Sequence, residues 1–180
     1  MIKILEGGSI TSVPGFKAAG IAAGIKASGK RDLALIYSEC EAIAAVTLTQ
    51  NRFRAAPVEL CQAYADHEYH RAIIINSGNA NACTGEQGEH DAARMSKLTA
   101  KKLNLKAEEI FVASTGVIGQ PLPMEKIERG IEKISAELSS TGGSLAAEAI
   151  MTTVLVSKEV AVTVETEGKT VTIGGRAKGA

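Results

Sequence analysis

The chain has no tryptophan, and aromatic residues make up only 3% of it. Its hydrophobic fraction of 45% must therefore build a core from Ala, Ile, Leu and Val. So few rings leave no stacking platform for nucleic acid. Charge of neither sign is in excess, with 20 Lys and Arg against 20 Asp and Glu. That balance argues against a polyanion partner and against a membrane surface. The opening residues Met1-Ile2-Lys3-Ile4-Leu5-Glu6 hold no long apolar run, so neither a signal peptide nor a transmembrane span is expected. Cysteines are few, at Cys40, Cys61 and Cys83. An odd, widely spaced set argues for a reducing cytosol and not for a disulfide framework. No CxxC or His-x-x-x-His spacing suggests a metal site. A length of 180 residues fits one domain or half of a larger one, and no internal linker, repeat or low-complexity tract divides it.

What is present is a pair of unusual segments. Ala72-Ile73-Ile74-Ile75 leads into Asn76-Ser77-Gly78-Asn79-Ala80-Asn81-Ala82-Cys83-Thr84-Gly85, and Ile110-Phe111-Val112-Ala113 leads into Ser114-Thr115-Gly116-Val117-Ile118-Gly119. Each is an apolar run that breaks into small, hydroxyl and amide residues. That is the pattern of a buried strand opening into a loop at its end, where open sheets often carry their chemistry. Glycine admits close approach of backbone N–H groups, and Ser, Thr and Asn add short hydrogen-bonding groups.

Elsewhere, residues 32–38 and 43–49 read as strands. Pro57 opens a helix to about Ala65, and residues 70–76 form a buried strand. Ala92, Met95, Leu98 and Leu103 give a helix over 88–103. Met124, Ile127, Ile131, Ile134 and Leu138 give the clearest amphipathic helix, behind Pro123. Ser144 could cap a third helix through Met151. Alternating residues 160–164 and 170–173, joined by Glu167-Gly168-Lys169, signal a hairpin. Mixed strands and helices with a terminal antiparallel hairpin point to a layered α/β or α+β sandwich.

Several motifs invite other readings. Gly24-Ile25-Lys26-Ala27-Ser28-Gly29-Lys30 fits the start of a phosphate-binding loop, but Arg31 stands where Ser or Thr would hold magnesium. Gly168-Lys169-Thr170 lacks the upstream glycine. Both read as turns. Cys83 with His90 suggests a nucleophile pair, but a free Cys is more often a small buried hydrophobe. Asn76, Asn79 and Asn81 more plausibly knit their loop through side-chain to backbone bonds. Thr115-Gly116 is either a turn with local hydrogen bonds or a donor pair for a tetrahedral oxyanion.

These segments, together with Gly15-Phe16-Lys17-Ala18-Ala19-Gly20, Gln50-Asn51-Arg52-Phe53-Arg54-Ala55-Ala56-Pro57-Val58, Ala149-Ile150-Met151-Thr152-Thr153, Gly174-Gly175 and Ala177-Lys178-Gly179, occur in an order that resembles one family. It is the N-terminal (α) subunit of ornithine acetyltransferase, the glutamate N-acetyltransferase family of arginine biosynthesis. The resemblance implies strands layered between helices, with a core shared with a separately cleaved β subunit. It implies Thr115 and Gly116 as the oxyanion donors, and Thr152 and Lys178 as substrate-binding residues. Without it, Thr152 is a helix-end residue and Lys178 a solvated lysine.

The resemblance also implies a precursor that cleaves itself between Ala and Thr, so that the freed Thr of the β chain is the nucleophile. No convincing nucleophile is present in the chain given. The implied reaction moves acetyl from N-acetylornithine to glutamate through an acetyl-threonine, in an α2β2 heterotetramer, with no metal or bound cofactor. Acetyl-CoA as a second donor stays open. Two departures concern the site wall. Val154-Leu155-Val156-Ser157 stands where an acidic residue and a proline are usual, and Arg176 where Met is usual. The family also has a further segment before the cleaved bond, so Ala180 need not be the cleavage point. A self-processing N-terminal-Thr amidase or peptidase, and a non-catalytic small-molecule-binding domain, are the alternative readings.

Overall fold

A computed structural model describes residues 1–178. In chain order the elements are β1 (Ile2–Leu5), β2 (Phe16–Ile21), β3 (Leu33–Ala42), α1 (Ala56–Tyr64), β4 (His70–Asn79), α2 (Gly85–Leu103), β5 (Ile110–Val117), α3 (Met124–Ala136), α4 (Gly143–Ala149), β6 (Lys158–Thr166) and β7 (Lys169–Ala177). They build two sheets. One is four-stranded in the order β2-β3-β4-β5, and the other is three-stranded in the order β1-β6-β7. All pairings are antiparallel except β4 with β5.

Helices cover both faces of the four-stranded sheet, as the expected layered sandwich requires. On one face Ala19, Ile21, Leu33, Leu35, Ala72, Ile74, Ile110 and Val112 pack with Met95 and Ala100 of α2 and Ile127, Ile131 and Ile134 of α3. The three isoleucines recur at four- and three-residue steps and are at most 1% exposed. Each contributes about 1.5–3 kcal/mol by leaving water. On the other face α4 lays Ala146 and Ala149 against Ala18 and Ala34. Small residues allow that approach: a methyl on Gly20 would run into the backbone of Leu145 and Ala146. This short helix covers only part of its face. Ile36, Ile73 and Ile75 remain half-buried there.

The ends of the elements follow local chemistry. Asn104 takes a left-handed conformation at the end of α2, with Lys101 and Lys102 in the last turn facing the negative end of the dipole. Glu167 and Gly168, both at positive φ, make the tight turn of the β6–β7 hairpin.

Three expectations are corrected. Residues 43–49 form no strand. Strand β3 ends at Ala42, already flanked by β2 and β4, and the segment beyond it leaves the sheet and pairs with no strand, with Ile43 88% exposed. Ser144 is not a cap. Helix α4 starts behind Gly142 with no side-chain cap, its first residue Gly143 packed against Ser9. Finally, Asn76–Asn79 and Ser114–Val117 are not loops but the last paired residues of β4 and β5.

Candidate functional site

The parallel pairing of β4 and β5 brings their C-terminal ends together. Asn76 faces Ser114, Ser77 faces Thr115, Gly78 faces Gly116 and Asn79 faces Val117. Both glycines hold positive φ, 125° at Gly78 and 138° at Gly116, a region open to few other residues. Gly116 lies against the Gly78 backbone so closely that a methyl would overlap its carbonyl group.

A polar network fixes these strand ends. Ser114 Oγ donates to Asn76 Oδ1 at 2.5 Å, and Asn76 Nδ2 donates to the Asn79 carbonyl at 2.9 Å. Asn79 Nδ2 donates to the Pro121 carbonyl and Asn81 Nδ2 to the Gly88 carbonyl. The three asparagines thus knit the backbone as their residue type suggests. Asn76, Ser77 and Asn81 are fully buried, where unpaired polar groups would be costly.

Ser77 Oγ donates to the carbonyl of Ala149, the last residue of α4. Side chains alternate along a strand, and Ser77 and Thr115 are register partners, so Thr115 shares the α4 side of the sheet. Thr115 is half-buried and Gly116 exposed. Thr152, also half-buried, follows α4 by three residues. The structure therefore sets Thr115 and Gly116 beside the strand end that holds the last residue of α4, three residues before Thr152. It does not bring Lys178 to them through any contact among the described residues. Lys178 is exposed, one residue beyond β7, whose Ala177 pairs with Lys158 at the start of β6. Residues 153–157 run between Thr152 and that strand start.

Lys26 is the residue sequence reasoning passed over. The segment around it is a turn, as expected, but the turn is built into the site. Asp32, fully buried, accepts N–H bonds from Ala23 at 2.6 Å and Lys26 at 2.9 Å. Lys26 Nζ donates to the carbonyls of Arg31 at 2.7 Å and Met151 at 2.6 Å. Burial holds the Lys26 ammonium below its usual pKa, opposed by the Asp32 carboxylate. The available signal was Asp32 itself, a carboxylate opening an apolar strand just after a glycine-rich turn.

Cys83 and His90 line different grooves, the first with Arg54, Glu59 and Glu89, the second with Gln87, Arg94 and Pro121. Among the described residues no three His, Cys, Asp or Glu side chains gather as a metal site would need. No helix among them is long and apolar enough to cross a membrane.

Residues 17–180 match the ArgJ family. The arginine biosynthesis bifunctional protein ArgJ of Caldanaerobacter subterraneus subsp. tengcongensis is 52% identical over 178 residues, which cover 99% of this chain and 44% of that protein. The corresponding ArgJ 1 of Clostridium acetobutylicum is 50% identical over 178 residues, again 99% of this chain and 44% of the relative. The chain thus spans less than half the length of these curated relatives. Two solved structures superpose with a TM-score of 0.93. One is arginine biosynthesis bifunctional protein argJ from Bacillus halodurans, 40% identical, with 100% of this chain and 94% of that chain covered. The other is ornithine acetyltransferase from Mycobacterium tuberculosis complexed with ornithine, 42% identical, with 100% and 96% covered.

Proposed function

The chain belongs to the ArgJ family, and on that premise we propose that it is the α subunit of an acetyltransferase that moves acetyl from N-acetylornithine to glutamate. The observation that supports the proposal is the pairing of Ser77 with Thr115 and of Gly78 with Gly116 at one sheet end, where Ser77 also holds Ala149, three residues before Thr152. A Thr hydroxyl and a Gly backbone N–H there suit the oxyanion of a tetrahedral acyl intermediate. Preorganised donors of that kind are usually the largest single catalytic contribution.

The nucleophile is the N-terminal Thr of a second chain cut from the same precursor. Its hydroxyl oxygen attacks the acetyl carbonyl while its α-amine takes the hydroxyl proton. Electrons move onto the carbonyl oxygen, which Thr115 and Gly116 hold. Collapse breaks the C–N bond, and the proton passes to the departing ornithine amine. The glutamate amine then attacks the acetyl-threonine ester, and the Thr oxygen leaves with its proton restored. Thr152 hydrogen-bonds the substrate, and Lys178 pairs with an amino-acid carboxylate.

Two facts support a divided protein. The curated relatives are more than twice as long as this chain, yet the two solved chains are nearly its length. The sheet face that α4 leaves open also carries an apolar groove of about 260 Å³, lined by Phe16, Ile36, Ile43, Val46, Ile73 and Phe111 among others. Such a surface calls for cover by another polypeptide. An α2β2 heterotetramer follows if two such pairs associate.

The test is to produce the complete polypeptide and supply N-acetylornithine with and without glutamate. Acetylglutamate and ornithine should form together, and residues 1–180 alone should form neither. Acetate released without glutamate would make the protein a hydrolase and overturn the proposal.

A further inference from the structure

We propose that Lys26 is a positioning residue that holds Thr152 against the Gly78–Gly116 strand ends. The inference rests on the acetyl-transfer reading of that site and extends it to a residue outside the oxyanion pair.

The argument begins with how little else orders Thr152. Helix α4 is only seven residues long and ends at Ala149. Residues 151–157 that follow belong to no helix or strand. The Met151 N–H still bonds back to Glu148 at 3.1 Å, a last loose turn. Beyond it, the segment's tie to the sheet is the Met151 carbonyl, which takes the Lys26 ammonium at 2.6 Å across 125 residues of sequence.

Lys26 itself has little freedom. Its backbone N–H is fixed on the buried Asp32 carboxylate, and the same ammonium donates to the Arg31 carbonyl at 2.7 Å. Its stem runs beside Gly78, where an added methyl would come within 3.5 Å of Lys26 Cγ and 2.9 Å of Ile25 Cγ2. Gly78 is the register partner of Gly116. One side chain therefore runs beside Gly78, the β4 partner of Gly116, and grips the backbone next to Thr152. Ser77 makes a parallel tie from the same strand, through the Ala149 carbonyl. The Ser77 bond fixes the end of the helix, and the Lys26 bond fixes the residue adjoining Thr152.

A rigid ammonium clamp sets distance as well as contact. Thr152 offers its hydroxyl to the bound substrate only while that backbone is held, so loosening it removes binding shared by ground and transition states.

The experiment uses the complete protein with Lys26→Met and Lys26→Arg, measuring amide hydrogen exchange at Met151, whose N–H bonds to Glu148, and the steady-state constants for N-acetylornithine. Lys26→Met should speed exchange at that amide by at least roughly 10-fold while leaving Val112 unchanged. It should raise KM by roughly 10-fold or more with kcat within about 5-fold, the mark of lost substrate positioning. Lys26→Arg keeps the charge and should recover most of both effects. If Lys26→Met does not fold, Lys26→Gln is judged by the same criteria. Unchanged exchange at Met151, or a fall in kcat at constant KM, overturns the inference. A wild-type protein that transfers no acetyl group condemns the functional reading instead. The exchange measurement needs no substrate and still decides the role of Lys26.

Discussion

Gly116 faces Gly78 across the parallel β4–β5 pair at a separation that leaves no room for a side chain on Gly116. The neighbour is backbone, which cannot swing aside. Gly116→Ala should therefore destabilise the protein by at least about 2 kcal/mol, combining a strained φ of roughly 1–3 kcal/mol with overpacking of similar size. Denaturant unfolding of the complete protein measures this. A loss below about 0.5 kcal/mol would mean that the two strand ends move apart freely, since that is the scale of an ordinary surface change.

Thr115→Ala should leave the fold intact and lower kcat by roughly 100- to 1000-fold, the usual loss for one oxyanion donor. The side chain is half-buried and small, so little packing is lost. KM should change far less. Normal kcat with raised KM would make Thr115 a ground-state contact.

Cys83→Ser should keep activity within about 3-fold, because the thiol is exposed and its groove excludes His90. Complete loss in a protein of normal circular dichroism would restore a thiol nucleophile. Cys83 also sits at φ 56°, so its own backbone is the more constrained feature.

Arg176 and Glu159 are cross-strand partners in the hairpin. All three guanidinium nitrogens and Glu159 Oε1 are buried without a hydrogen-bond partner among the described residues. Burial pulls the Arg176 pKa down to about 10, with Glu159 opposing. A guanidinium does not give up its proton near neutrality, so the burial appears as lost stability. Arg176→Met should raise the melting temperature, by a gain of about 1 kcal/mol or more. Glu159→Gln removes the opposing charge and should lower it. A destabilising Arg176→Met would mean that the guanidinium has a strong partner in the assembled protein.

His70 predicts an acid sensitivity. It is 5% exposed, stacks on Phe111 at 4.0 Å, and leaves Nδ1 unpartnered while Nε2 meets the Tyr64 carbonyl. Burial lowers its pKa from the ordinary 6.5. A base whose folded pKa is depressed contributes its full stability above the unfolded value. That contribution is lost as pH falls from about 6.5 through the folded pKa. Melting temperature should decline over that window, and His70→Phe should flatten the decline. An equal slope in the variant would assign the effect to other groups.

Much of the fold was legible because periodicity reports burial. Ile127, Ile131 and Ile134 announce α3, and the alternation of residues 160–164 about Glu167-Gly168 announces the hairpin. The same signal failed at Ile43–Thr49, where alternation is present but the segment leaves the sheet after Ala42 and pairs with no strand. Composition also misled at the site. Small polar residues read as loops, yet Ser77, Thr115 and both glycines stay in the ladder because Asn76 and Ser114 satisfy each other inside it. Lys26 was hidden for a different reason. Its partner Met151 is distant in sequence, and a lysine in a glycine-rich turn gives no sign of where its ammonium goes.

The parallel pairing of β4 and β5 has a consequence for how the molecule is assembled in time. Antiparallel neighbours such as β6 and β7 can zip from their turn. Strands β4 and β5 cannot, because residues 80–109, including all of α2, must fold back before the first bond of the pair can form. Closing so long an excursion is slow relative to a hairpin. The Gly78–Gly116 contact thus forms later than the hairpin. A full-length chain refolding from its denatured state would close its hairpin before it held the backbone geometry on which the proposed chemistry depends.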